Sequence, residues 1–332
     1  MSWDWDSETL GRLGAYLRAR GFDADELAPK PIGDGHSNLT YLIDLGGRSA
    51  VLRRPPPPPL PKGANDVLRE ARVMKALEDE DVPVPRVLAV AEAGEVLDVP
   101  FYVMEHVPGP ILTDTLPPQM QGHGGTMAAE FVGALVRLHA VDWRARGLEG
   151  FGRPENFNLR HLSRLEGLMR LNPSPPADMV ALAERLKVGA PAESGDAIVH
   201  NDYRIGNVIW SPNVPPRLAA ILDWELATIG DPLLDLGYLA ACWPVPGHEQ
   251  APTQELSLAW LAPGVPPLDA VLDLYARTSG RDLSDLPWYA AMAAWKLAVL
   301  YDYQFRLGGD AYYTADQAPR FLRQAEAFLA QG

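Results

Sequence analysis

The order of hydrophobic patterns predicts an α+β fold, with a small β-rich part first and a larger helical part second. Three observations carry this. A strand–turn–strand pattern stands near the N-terminus, and amphipathic helical patterns dominate from residue 110 onward. Between them, Glu105-His106-Val107-Pro108-Gly109 follows a fully apolar strand with polar and turn-forming residues. The expected division is therefore 1–104, a connector at 105–109, and 110–332.

The elements follow in order. Leu10, Leu13 and Leu17 recur at helical spacing behind Ser7, a candidate N-cap, and Gly21 stops that helix. Thr40–Leu45 and Ser49–Arg53 read as a hairpin across Gly46-Gly47-Arg48, a turn built from residues that tolerate positive φ. Pro55 to Pro59 is a stiff extended connector. Asp66 to Leu77 then reads as a helix with Val67, Ala71, Met74 and Leu77 on one face and Glu70 nearby. Two short strands follow, 86–91 and 101–104, and further on Met127–Ala140 and Trp288–Leu307 are amphipathic helices.

Composition narrows the function classes. The 332-residue chain is 47% hydrophobic and 22% charged, which describes an ordinary globular protein. Its formal net charge of −14 argues against a nucleic-acid partner, which calls for a basic face. Cys242 is the only cysteine and sits in an apolar run, so a buried inert thiol is expected. No basic start with an apolar core marks a signal peptide, and no run of about 18 apolar residues offers a membrane span. No membrane partner and a cytoplasmic location are the expectation; oligomeric state is not legible.

The stretch that carries chemistry is Ile198-Val199-His200-Asn201-Asp202-Tyr203-Arg204-Ile205-Gly206-Asn207-Val208-Ile209-Trp210, followed by the apolar strand Leu218–Leu222 ending in Asp223-Trp224-Glu225. A carboxylate and an amide five residues apart, with a second carboxylate at a strand end, suit Mg²⁺ and its preference for hard oxygen ligands. They also suit phosphoryl transfer, which needs positioning, metal charge and one group to orient the attacking hydroxyl. Singly, Asp202 and Asn207 are ordinary turn residues. The three-part spacing is what turn chemistry leaves unexplained.

His200-x-Asp202-x-x-x-x-Asn207 followed by Ile-Leu-Asp223 resembles the catalytic and metal motifs of the aminoglycoside phosphotransferase and choline kinase superfamily, itself related to protein kinases. The fuller text, IVHNDYRIGNVIW with ILDWELATIGDPLLDLGYLA, is similar to the kinase-like domain fused to some acyl-CoA dehydrogenases. The resemblance covers nearly the whole chain and implies a bilobal protein-kinase-like fold. It implies Asp202 as the group that orients or accepts the proton of a small-molecule hydroxyl. Asn207 and Asp223 become Mg²⁺ ligands, and His200 and Asp231 brace the loop. Locally, Asp231 also reads as a helix cap with Pro232 in the first turn.

Nucleotide-binding positions follow from the same resemblance. Gly33-Asp34-Gly35-His36-Ser37-Asn38 would cover the phosphates, since glycines let backbone N–H groups approach anionic oxygens. It is not a Walker A loop. The strand that supplies a lysine in protein kinases reads Ala50-Val51-Leu52-Arg53-Arg54, and Lys62 comes only after the proline run. Arg53, paired with Glu70, is the expected substitute, with a different reach from ammonium. Backbone groups of Glu105, His106 and Val107 would meet the base of ATP; the resemblance leaves GTP open.

The acceptor is expected above Asp202, with Arg204, Trp295, Tyr301 and Asp302 as candidate contacts. Between Arg137 and Arg170 seven arginines face four acids, a local +3 in a −14 chain. That excess suits an anionic acceptor such as a hydroxy acid or a hydroxyacyl-CoA. Competing readings are an aminoglycoside or other amino-alcohol kinase, and a catalytically weak nucleotide-binding pseudokinase or scaffold.

Overall fold

The computed structural model describes residues 5–33, 38–57 and 65–331. The chain folds into two compact units, one of Met1–Pro108 with Ala219–Glu225, the other of Gly109–Leu218 with Leu226–Gly332. The segment bearing Asp223 thus belongs with the first unit and not, as the expected boundaries had it, with the helical part. Its backbone is tied there, Ile221 N–H donating to the Pro83 carbonyl at 2.8 Å.

In the first unit, α1 (Ser7–Arg18) is capped by Asp6 rather than Ser7, the Asp6 carboxylate accepting from Thr9 N–H at 2.7 Å. A carboxylate answers the positive end of the helix dipole better than a hydroxyl does. Strands β1 (Lys30–Pro31), β2 (Leu39–Asp44) and β3 (Ser49–Arg54) precede α2 (Val67–Leu77), and β4 (Val87–Ala91) and β5 (Phe101–Glu105) follow it. All pair antiparallel in the order β1-β2-β3-β5-β4. The hairpin turn needs its glycines, since Gly46 and Gly47 hold φ of 64° and 85° and a Cβ at Gly46 would fall 2.5 Å from Asp23. Leu13, Leu17, Tyr41, Ile43, Leu52, Phe101 and Val103 form the core between α1 and the sheet.

The second unit is mostly helical: α3 (Gly124–Ala140), α4 (Phe157–Met169) and α5 (Ala177–Val188) come first. Short strands β6 (Ala197–Val199), β7 (Val208–Trp210), β8 (Leu218–Ile221, shared in sequence with the first unit) and β9 (Thr228–Gly230) follow. Then come α6 (Leu233–Cys242), α7 (Pro252–Glu255), α8 (Leu268–Ser279), α9 (Leu286–Leu307) and α10 (Gln317–Leu329). β6 pairs antiparallel with β9. Every residue of α6 is buried, which fits a helix apolar on all sides and packed in the centre. It lies close against α9 because Gly237 has no side chain; a Cβ there would stand 2.4 Å from the Tyr289 backbone. Trp288 and Trp295 of α9 donate to the carbonyls of Leu186 (2.8 Å) and Met179 (2.9 Å), fastening α5 to the same helix. No helix among the described residues is long and apolar enough to cross a membrane.

Candidate active site

In the first unit the register of the sheet builds a charged cluster. Arg53 pairs with Tyr102 across β3 and β5, so both side chains share a face, and α2 brings Glu70 to them. Arg53 Nε lies 3.0 Å from Glu70 Oε2, and Nη2 donates to Asp223 Oδ1 at 2.8 Å. Glu70 also accepts from Tyr102 Oη at 3.0 Å and from Asn38 Nδ2 at 2.7 Å. Its side chain is 1% exposed and that of Arg53 15%, so the Arg53–Glu70 pair expected from sequence is interior. Burial pushes the Glu70 carboxyl up to about 7, with Arg53 pulling the other way. At the guanidinium, burial works downward but Glu70, Tyr102, Asp223 and Glu225 outweigh it and drive the pKa up. Positive charge is therefore locked in this cluster, and Glu70 is the member able to lose its charge.

Two nucleotide-binding expectations change here, at Asn38 and at Glu105. Asn38 is no loop-tip donor to phosphate: it is 3% exposed, and its amide is engaged at both ends, by Glu70 and by Asn65 Nδ2 at 3.1 Å. Gly33 has φ of 73°, as a tight turn requires, while Asp34, Gly35, His36 and Ser37 lie outside the described residues, as does Lys62. Glu105 N–H is spent on the Arg86 carbonyl at 2.8 Å and so is not offered to a base; His106 and Val107 are half-buried beyond it.

In the second unit, β6 delivers His200-Asn201-Asp202 into a loop in which Asn201 takes φ of 66°. Asparagine tolerates that left-handed conformation better than most residues. The Asp202 carboxylate is held from both sides. Asn207 Nδ2 donates to Oδ2 at 2.7 Å and to the Asp202 carbonyl at 2.8 Å, and the Tyr238 hydroxyl of α6 donates to Oδ1. Asp202 N–H donates to His200 Nδ1 at 3.2 Å, a bond within the loop itself. Arg204 folds back with Nε 3.6 Å from Asp202 Oδ1, over Gly206, where a Cβ would stand 2.2 Å from its Nη1.

The bracing expected of Asp231 falls to another carboxylate. Asp231 accepts from Ser194 N–H (2.7 Å) and Oγ (2.6 Å), Leu233 N–H (2.9 Å) and Tyr289 Oη (2.7 Å), tying the first residue of α6 to the segment before β6. One helical turn later, Asp235 accepts from the backbone N–H groups of His200 (2.7 Å) and Asn201 (2.6 Å). His139 Nε2 lies 3.1 Å from the same carboxylate, and His139 Nδ1 is 2.8 Å from Tyr275 Oη. Burial works to raise the Asp235 pKa, but bonds from His139 and the His200 N–H outweigh it and hold the carboxyl below its ordinary value. On the other side, the buried Lys296 of α9 donates to the Asn201 carbonyl at 3.0 Å. Asp235, Tyr238, Lys296 and His139 are not signalled as site residues by sequence, because each sits in an apolar helical run.

Three acceptor candidates fare differently from Arg204. Trp295 is 0% exposed and bonded to Met179, a core residue out of reach of a ligand. Asp302 is paired with Arg306 Nε at 2.9 Å and accepts from Asn172 at 3.2 Å. Tyr301 belongs to an aromatic cluster with Tyr312, Tyr313 and Phe321. In the arginine-rich stretch, Arg144 pairs with Asp196 at 2.6 Å, and Arg160 is spent on the carbonyls of Arg153 (2.6 Å) and Glu155 (2.5 Å). Arg164 is exposed.

Among the described residues no group of three or more His, Cys, Asp or Glu could hold a metal alone. Asn207 in the second unit and Asp223 in the first each carry a hard oxygen of the kind Mg²⁺ takes, one or two such protein ligands usually being joined by phosphates and water. Asn207 spends its amide nitrogen on Asp202, leaving Oδ1 as the hard donor, and the Asp223 side chain is 33% exposed.

Comparison with known proteins identifies the family. The model of APH, the phosphotransferase enzyme family, matches residues 29–268. Acyl-CoA dehydrogenase family member 10 of Mus musculus is 31% identical over 309 residues, covering 89% of this chain and 28% of that protein. Family member 11 of Homo sapiens is 32% identical over 301 residues, covering 86% of this chain and 38% of that protein. The chain thus spans well under half the length of these relatives. A Ralstonia eutropha JMP134 protein assigned as an aminoglycoside phosphotransferase superposes with a TM-score of 0.78 at 30% identity, covering 96% of this chain and 95% of its own. The fold is the bilobal, kinase-like α+β fold of that group, and the chain belongs to the phosphotransferase enzyme family.

Proposed function

We propose that this phosphotransferase moves the γ-phosphoryl group of ATP, with Mg²⁺, onto a hydroxyl of an anionic small molecule, a hydroxy acid or a hydroxyacyl-CoA. The observation that carries the reading is Asp202, a carboxylate at the end of β6 whose two oxygens are fixed by Asn207 and Tyr238. Such a group can orient an attacking hydroxyl and take its proton as the new O–P bond forms. The acceptor oxygen attacks the γ-phosphorus, the bond to the β-phosphate oxygen breaks, ADP leaves, and the proton passes to Asp202. Asn207 and Asp223 would hold Mg²⁺, whose charge offsets that of the phosphates. Arg53 takes the part of the usual lysine toward the phosphates, with Glu70 orienting it.

Two observations support an anionic acceptor. One is the local excess of arginine from 137 to 170, of which Arg164 stays exposed. The other is that several relatives are named as acyl-CoA dehydrogenase family members. The test is Mg²⁺-dependent ADP release with a panel of hydroxy acids, hydroxyacyl-CoA thioesters, aminoglycosides and choline. Turnover is expected with an anionic acceptor, and Asp202→Asn should lower kcat by about 10²- to 10⁴-fold with ATP binding intact. Arg164→Glu should raise KM for that acceptor. Turnover with aminoglycosides or choline alone would overturn the acceptor class, and ATP binding without turnover on any acceptor would favour a scaffold.

A further inference from the structure

α6 reaches the catalytic loop with two side chains three residues apart, which places them on one helical face. Asp235 takes the backbone N–H groups of His200 and Asn201, at 2.7 Å and 2.6 Å. Tyr238, one turn on, takes the Asp202 side chain itself, its hydroxyl donating to Oδ1. α9 completes the arrangement: Lys296 Nζ donates to the Asn201 carbonyl at 3.0 Å and lies 5.2 Å from the centroid of the Tyr238 ring. Tyr238 is 5% exposed and Lys296 6%, so neither is a surface contact. The close approach of α6 and α9 at Gly237 holds the two side chains in this relation.

We propose that Tyr238 is the positioning residue of the reaction, fixing the rotamer of Asp202 from α6 while Lys296 fixes the peptide in front of it. This rests on Asp202 being the group that orients the acceptor. The main chain at 200–202 is held by Asp235 and Lys296 without any help from Tyr238. The carboxylate, however, turns about its own side-chain bonds: Asn207 restrains Oδ2, while Arg204 Nε, 3.6 Å from Oδ1, lies beyond hydrogen-bond range, and the bond on Oδ1 is that of Tyr238. A carboxylate grasped at one oxygen pivots; grasped at both, it does not. Burial, and then the neighbouring Asp202 charge, push the Tyr238 phenol well above its ordinary pKa. The hydroxyl therefore stays a donor at every working pH and serves Asp202 as a fixed partner, not a proton relay.

The test uses Tyr238→Phe, which keeps the ring and its place in α6, alongside Asp202→Asn and the double variant. Phosphate release from Mg·ATP, with water as acceptor, gives kcat and KM for each. Tyr238→Phe is expected to lower kcat by about 10- to 100-fold with KM for ATP within about twofold, the loss that follows from misplacing a reacting group by an ångström or so. Because Tyr238 acts through Asp202, adding Tyr238→Phe to Asp202→Asn should cost nothing further. A merely structural tyrosine would instead slow both backgrounds equally. Full kcat in Tyr238→Phe, or an additive loss in the double variant, overturns the proposal while leaving Asp202 in its role. Full kcat in Asp202→Asn removes Asp202 from its role and the proposal with it. A crystal structure of Tyr238→Phe supplies a readout independent of turnover. The Asp202 carboxylate should be rotated on a loop backbone within ~0.5 Å of the parent, and an unmoved carboxylate overturns the proposal.

Discussion

The two units hold their functional carboxylates by different means. In the first, Glu70 and Asp223 answer to one cation, Arg53, with neutral donors from Tyr102 and Asn38 filling in. In the second, Asp202 and Asp235 are held at close range by neutral donors: a tyrosine, an amide and backbone N–H groups. Two cations stand one step away, Lys296 on the backbone and Arg204 with Nε 3.6 Å from Asp202 Oδ1. Ion pairs can exchange partners, and the Arg53–Asp223 bond is one that a metal on Asp223 would compete for. A lattice of directional hydrogen bonds exchanges partners less readily and keeps one geometry. The first cluster suits a site that rearranges around a charged ligand, and the second suits a group that must not move.

Removing Asp235 is the severest way to test the rigid half. Asp235→Ala leaves two backbone N–H groups and the His139 ring without their acceptor in a fully buried place. The expected loss is about 3–5 kcal/mol of unfolding free energy at neutral pH, by urea titration. Asp235→Asn, keeping one acceptor, should fall between the variant and the parent. A loss below about 1 kcal/mol would mean that the loop does not depend on this lattice.

The charged half has a pH signature. Glu70 rises from an ordinary 4.5 to about 7 in the folded chain, so between those values the folded state binds the proton that the unfolded state has released. Stability from this group is complete below pH 4.5 and is lost as pH rises through 7, by on the order of 3 kcal/mol. Glu70→Gln carries no such titration. The parent should therefore lose stability relative to Glu70→Gln as pH climbs through that window, and parallel pH profiles would show that Arg53 fully offsets burial.

Much of this was legible in the sequence, for physical reasons that differ by region. The hairpin announces itself through its strand–turn–strand pattern around Gly46-Gly47, and the Arg53–Glu70 pair through the resemblance that sets Arg53 in the place of the usual lysine. Asp202 and Asn207 are legible because their five-residue spacing, with Asp223 at a strand end after them, exceeds what turn chemistry explains. What sequence does not give is which polar residue in an apolar helix faces inward to the loop. Asp231 and Asp235 stand in one Gly-Asp-Pro-Leu-Leu-Asp run, and local capping chemistry favours the first; only the placement of α6, packed on α9 and beside the loop after β6, selects the second. Tyr238 and Lys296 look like core filler by their neighbours. Asn38 looks like a loop tip until Glu70 draws it inside, and the aromatic periodicity of Trp295 fits a core better than a pocket.

The mildest test bears most directly on the contrast between the halves. Arg53→Lys keeps the charge but replaces a planar fork by a point of three donors, which cannot span Glu70 and Asp223 in the same geometry. If the first cluster works by charge that changes partners, the ammonium should still neutralise Glu70 and reach the phosphates. KM for Mg·ATP should then rise only threefold to tenfold, about 1 kcal/mol, with kcat held within the same range. The matching change in the rigid half, Tyr238→Phe, removes a single oxygen and is expected to act on kcat alone. A loss above about 100-fold in kcat for Arg53→Lys would mean that the guanidinium fork is as exacting as the lattice around Asp202. The two units would then share one design, with Arg53 serving as a positioning clamp as well as a charge.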